Sequence, residues 1–156
     1  DLRELAAACS RLIADTAGVV GHEEVETCYG GRVEATGFKV ADSAVSGNTG
    51  AALALVRHAM ASGVDPVPLV AALALKLRTM AKVAASRGRD GASTASMGLA
   101  PWQVDRARKD LDGWTPEGLA SAIMAVASAD AEVKGESRSP GYAVERAVIR
   151  IAQARG

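Results

Sequence analysis

Residues 66–87 read PVPLVAALALKLRTMAKVAASR. Leu69, Val70, Leu73, Ala74, Leu77, Met80 and Ala81 recur there at helical spacing, and so continuous an apolar stripe suits the central helix of a bundle. Asp65 is placed to cap this helix. Pro66 takes its first position, and Pro68 lies in the first turn, where a missing N–H costs little. The other side carries Lys76, Arg78 and Lys82.

Helical patterns continue on both sides of this stretch. Upstream, 49–62 has Leu53, Val56 and Met60 as apolar positions, with Asn48 as its cap and Gly63 as its stop. Residues 33–46 place Val33, Gly37, Val40, Ala41 and Ala44 on one side, with Phe38 and Val45 beside them. A short helix is expected over 22–29, with Glu23 and Glu24 near the positive end of its dipole. Gly30-Gly31 reads as the end of that helix and as a hinge. Segment 2–15 sets Leu5, Ala8, Cys9, Leu12 and Ile13 on one stripe.

Downstream, the small-residue run 88–96, GRDGASTAS, reads as a mobile loop. Pro101 opens a helix over 101–112, stopped by Gly113. Thr115-Pro116 opens the next, to Lys134-Gly135, with Leu119, Ile123, Val126 and Ala127 expected inward. Ser139-Pro140 opens the last, 140–154, with Ala143, Ala147 and Ile151 in line and Val144 and Val148 beside them. No useful strand alternation occurs, so an all-α chain of about eight helices with short connections is expected.

The 156 residues hold 49% hydrophobic side chains, enough for a sizeable core, but only 3% aromatics. Alanine and aliphatic side chains must therefore fill the interior, and alanine also has the best helix propensity. Eighteen basic and eighteen acidic residues cancel, which argues against a dominant electrostatic grip on nucleic acid or anionic lipid. The balance is uneven along the chain. Residues 1–31 hold six acids and two bases, net −4, and residues 32–156 hold twelve acids and sixteen bases, net +4. That shift supports a boundary at Gly30-Gly31. No apolar run approaches the roughly 18 residues of a membrane span. The sequence starts at Asp1 and is expected to be a piece of a longer chain. Cys9 and Cys28 are expected to be free thiols in a reducing cytoplasm.

Motifs for chemistry are sparse. There is no phosphate loop, no dinucleotide-binding glycine pattern, no H-E-x-x-H and no C-x-x-C. His22 and Glu26 lie four apart and could share a metal with a third ligand, but nothing nearby supplies one, and a solvated His22 is the plainer reading. His58 has no evident carboxylate partner. Asp110 and Asp112 face different sides of their helix, a poor geometry for acid–base work. No active site, metal or cofactor is expected.

Three ordered stretches carry a resemblance: GFKVADSAVSGNTGAALALVRHAMASGVDPVPLVAALALKLRTMAKV at 37–83, LAPWQVDRARKDLDGW at 99–114, and ADAEVKGESRSPGYAVERAVIRI at 129–151. Together they resemble the C-terminal part of the bacterial DNA polymerase III delta subunit, a clamp-loader component. DLRELAAACSRLIADTAG at the start resembles the end of the helical lid domain that precedes it. The resemblance implies a helical bundle of the clamp-loader collar type over 32–156, preceded at 1–31 by a short helical remnant of the AAA+ lid. It implies a cytoplasmic, replisome-associated protein that holds the loader pentamer together while the sliding clamp is loaded, and that has no ATPase of its own. Its partners would be the gamma/tau and delta-prime subunits, with primer–template DNA inside the assembled loader. The sliding clamp would be reached only through an N-terminal domain outside this sequence. The alternatives are the collar of delta-prime or gamma/tau, and a stand-alone helical DNA-binding domain.

Within that frame, Trp102, Arg106 and Lys109 fall at i, i+4 and i+7 on one helix. A flat ring beside two cations could stack an unpaired base and hold its phosphates; equally, Trp102 could anchor the start of its helix. Arg78 and Lys82, with Arg87 and Arg89 beyond, form either a solvated face or a phosphate-facing strip. The pairs Ala51-Ala52, Ala71-Ala72 and Ala84-Ala85 are candidate subunit interface, or simply helix formers. Asp130 and Lys134 form an i, i+4 pair that is either local or intersubunit. Trp114 reads as a core staple, and Phe38 and Tyr142 as core or its edge.

Overall fold

The structure is a computed structural model that describes residues 22–87, 97–135 and 138–156, with side chains from residue 30 onward. Among the described residues it has six helices and no strand: α1 (His22–Val45), α2 (Thr49–Ala61), α3 (Pro66–Ser86), α4 (Pro101–Asp110), α5 (Pro116–Lys134) and α6 (Pro140–Arg155). The all-α expectation holds. The stripe at 2–15, Cys9 and the loop at 88–96 lie outside the described residues, as does the Cys28 side chain.

The helix starts follow the capping chemistry of the sequence. Asn48 Oδ1 accepts from the Ala51 N–H at 3.2 Å. Asp65 Oδ1 accepts from Val67 N–H at 2.8 Å, and Thr115 Oγ1 accepts from Gly118 N–H at 3.0 Å. Each of these bonds satisfies a backbone donor that has no partner within its helix. Pro66, Pro101, Pro116 and Pro140 each open a helix at a place where the ring displaces no hydrogen bond. Ala100 has no capping side chain; instead its N–H donates to Gln103 Oε1 at 2.8 Å. The left-handed turns at Gly63 (φ +86°) and Gly113 (φ +82°) stop α2 and the α4 turn.

The 22–29 and 33–46 patterns are one helix. Gly30 and Gly31, read as a stop and hinge, lie inside α1. Each glycine costs a helix about 1 kcal/mol relative to alanine, which is a penalty rather than a break. Neither is crowded, and the half of α1 from Val33 onward is held by its packing. Fusing those two segments, and leaving 2–15 aside, reduces the expected eight helices to the six described.

Helix α3 is central. It packs against α1, α4, α5 and α6, while α5 and α6 form an antiparallel pair and α2 closes against α1 and α6. Leu69, Val70, Leu73, Leu77, Met80 and Val83 of α3 are all buried. Burying an aliphatic side chain of this size contributes roughly 2 kcal/mol, so this stripe is the largest single contribution of any helix to the core. Val40, Ala44, Val56, Val144, Val148 and Ile151 meet it from the other helices or extend its core. In α5 the inward residues are Leu119, Ala122, Val126 and Ala129. Ile123 and Ala127, expected inward, are exposed, because the face touching α3 and α6 is rotated toward the small residues.

Among the described side chains no aromatic ring belongs to the fully buried set. Close helix approach takes its place. A Cβ added at Gly37 of α1 would lie 2.8 Å from the Ala72 Cβ of α3. At the start of α5, a Cβ on Gly118 would run into the Ala154 carbonyl oxygen of α6. Trp114 staples the α4–α5 turn to α1, its Nε1 donating to the Val45 carbonyl at 2.9 Å.

Candidate functional site

A groove of about 790 Å³ lies between α1, α3 and α4. Helical spacing puts Glu34, Phe38 and Ala41 of α1 along one wall, and Ala71, Ala72, Leu75, Arg78 and Lys82 of α3 along the floor. Trp102, Gln103, Arg106 and Asp110 of α4 form the other wall. Three large apolar side chains from three helices stand open here: Phe38 at 47%, Leu75 at 64% and Trp102 at 64% exposure.

The deep end of the groove is an ionic lock. Lys76 Nζ sits 2.6 Å from Asp42 Oδ1 and 2.5 Å from Asp110 Oδ2, with its side chain only 10% exposed. Arg106 Nη2 meets Asp42 Oδ2 at 2.5 Å, and its Nε meets Asp110 Oδ1 at 3.5 Å. Two carboxylates and two cations therefore alternate in a ring that ties α1, α3 and α4 together. Phe38 covers this ring, with Lys76 Nζ 5.3 Å and the Arg106 guanidinium 5.8 Å from its centroid, within cation–π range. Asp42 and Asp110 are thus neutralised by fixed cations. The arrangement fixes α1, α3 and α4 relative to one another.

The residues singled out in the sequence are distributed unevenly over this surface. Trp102, Arg106, Arg78 and Lys82 all line the groove, as do Ala71 and Ala72. Trp102 is 64% exposed, so most of its ring lies outside the core. Helix α4 is held by buried Val104 and Ala107. Arg106 is committed to two carboxylates, whereas Arg78 and Lys82 are exposed and make no ion pair with any described residue. Lys109 does not join Trp102. It lines a separate hollow of about 510 Å³ with Arg87 and Arg108.

Of the alanines, Ala71 and Ala85 are exposed, Ala72 faces Gly37, and Ala84 is partly buried against the core. Ala52, expected to be partly exposed, is wholly buried. Asp130 and Lys134 pair with each other at 2.9 Å on exposed α5. Phe38 and Tyr142 stand out from the core, each beneath a cation, Arg146 in the case of Tyr142. Leu75 and the Asp42–Lys76–Asp110 contacts were not foreseen. Leu75 could have been found as the one leucine of α3 lying off its Leu69–Leu73–Leu77 stripe. The ionic contacts needed the helix packing.

A second unpartnered patch lies on α5, where Met124 is 73% exposed and Ile123 36%. Among the described residues no three His, Cys, Asp or Glu side chains gather as a metal site, and no helix is long and apolar enough to cross a membrane. His22 and Glu26 fall on the opening turns of α1, but their side chains are outside the described set.

Residues 34–151, from the second half of α1 through most of α6 and including every groove-lining residue but Val33, match the family described as the DNA polymerase III delta subunit, C-terminal domain. The chain belongs to that family. Searches of curated proteins and of solved structures returned no match. The C-terminal domain of delta is part of a clamp-loader protein, so the setting of this groove is DNA replication and its partners are to be sought within the clamp-loader complex. The matched region starts at Glu34, inside the continuous α1.

Proposed function

We propose that residues 32–156 act as the collar of the delta subunit, the helical domain that holds the clamp-loader pentamer together, and that residues 1–31 are the end of the lid domain preceding it. Family membership supplies the clamp-loader setting. The observation that carries the assembly role is the pair of unpartnered apolar surfaces. One is the Phe38–Leu75–Trp102 groove and the other is the Met124 patch, both on a bundle whose own core is complete without them. Large apolar side chains left open beside a finished core are the signature of a protein–protein surface. The domain works by binding gamma/tau and delta-prime in the bacterial cytoplasm. Opening of the sliding clamp falls to an N-terminal domain outside these residues.

Mixing the chain with gamma/tau and delta-prime is expected to give one co-eluting complex on gel filtration. Folded chain that elutes separately from both would defeat the collar reading.

A further inference from the structure

We propose that the groove between α1, α3 and α4 receives an acidic amphipathic helix from a sister clamp-loader subunit. This rests on the collar reading and adds the face used and the chemistry of its occupant.

The first argument is shape. Phe38, Leu75 and Trp102 come from three different helices and border one trough, which lets a helix lie between the walls with its apolar side down. Aromatic side chains at the centre of a concave apolar surface are the usual anchors of binding energy.

Charge is the second argument. Among the lining residues, Lys76, Arg78, Lys82 and Arg106 stand against Glu34 and Asp110. Asp42 completes the lock and offsets one more cation. What remains is the pair Arg78 and Lys82, one turn apart on α3 and without an ion-pair partner among the described residues, against the single exposed carboxylate of Glu34 on the α1 wall, a net charge of +1. An apolar trough with two unpaired cations on its α3 side complements a helix bearing Asp or Glu beside its apolar stripe.

The same count disfavours a polynucleotide as occupant. Phosphate backbones are held by many cations at once. Here Arg106 is locked to carboxylates and Lys109 lies in another hollow. Nor does the adjoining segment 88–96, GRDGASTAS, have a bulky apolar side chain with which to fill the trough.

The test is site-specific photo-cross-linking in the assembled complex. Benzoylphenylalanine replaces Leu75 in one preparation and Met124 in another, and the captured segment is sequenced. The expected result is capture from position 75 of a segment of gamma/tau or delta-prime with helical apolar periodicity and net negative charge. Capture of primed DNA, of a second copy of this chain or of its own residues 1–21 overturns the proposal, as does a captured segment without net negative charge. Cross-links to sister subunits from position 124 alone overturn it while leaving the collar reading intact; absence of any complex removes the collar reading itself. In parallel, Leu75→Asp is expected to weaken the complex roughly thirtyfold. The double variant Arg78→Glu/Lys82→Glu should weaken it about tenfold, with a loss that shrinks in high salt. Unchanged affinity in both, with native circular dichroism, overturns the proposal.

Discussion

Gly37 of α1 lies against Ala72 of α3 so closely that a Cβ at position 37 would come within 2.8 Å of the Ala72 methyl. Alanine normally stabilises a helix relative to glycine by about 1 kcal/mol. Here overpacking wins, and Gly37→Ala is expected to cost about 2 kcal/mol. Adding Ala72→Gly should recover much of that loss, although Ala72→Gly alone is destabilising. Urea unfolding of the two single variants and the double variant measures the coupling; strictly additive effects would contradict the contact.

The α5–α6 junction has less room to adjust. The obstacle to a Cβ at Gly118 is the Ala154 carbonyl, which is backbone and cannot rotate away. Gly118→Ala is expected to cost about 3 kcal/mol, the upper part of the range for overpacking. A melting temperature equal to that of the parent chain would show that α6 moves freely there.

Gly30 and Gly31 behave in the opposite way. Both are exposed, helical and without any neighbour that a Cβ would touch. Gly30→Ala and Gly31→Ala should each raise stability by up to about 1 kcal/mol. The double variant also tests whether the pair bends in the assembled loader. If it does, helix stability rises while complex formation or clamp loading falls.

Lys76 bridges two carboxylates with most of its side chain out of water. Lys76→Met leaves Asp42 and Asp110 sharing Arg106 alone, and is expected to cost about 2 kcal/mol, below the full penalty of a buried unpaired charge because Arg106 remains. Arg106→Ala, at the more exposed end of the same ring, should cost less, near 1 kcal/mol. Chemical denaturation at low and high salt separates the two: the Lys76 effect should persist where the Arg106 effect fades.

The two tryptophans should diverge under substitution. Trp114→Phe loses the bond to the Val45 carbonyl and should destabilise by about 1 kcal/mol. Trp102→Ala removes a largely exposed ring and should change stability by less than about 0.5 kcal/mol. A large destabilisation by Trp102→Ala would mean that the ring is packed after all.

The helices were legible because their signals are local. The α3 stripe, the Asp65 and Thr115 caps and the four opening prolines act within a few residues of themselves. Gly30-Gly31 misled for the same reason, since a glycine pair is a local stop signal although each glycine only penalises a helix and the helix runs through both. The groove was half legible. Trp102, Arg78, Lys82, Ala71 and Ala72 were singled out separately, but only the packing of α1 and α4 on α3 shows that they share one trough. Half of the fate of Arg106 lay beyond the sequence: Asp110 is four positions on along the same helix, but Asp42 is 64 positions away. Lys109 shows the reverse limit: equal angular position on a helix does not bring side chains to the same hollow.

The chain contains two indole rings, and they sit in opposite surroundings. Trp114 is pinned to a backbone carbonyl at a helix junction, and Trp102 stands in the open trough. Intrinsic emission therefore divides into two optical channels without any added dye. One reports whether the bundle is intact, and the other reports whether something has settled against its surface. Single Trp→Phe variants would isolate each signal, so that folding and assembly could be followed separately in one cuvette.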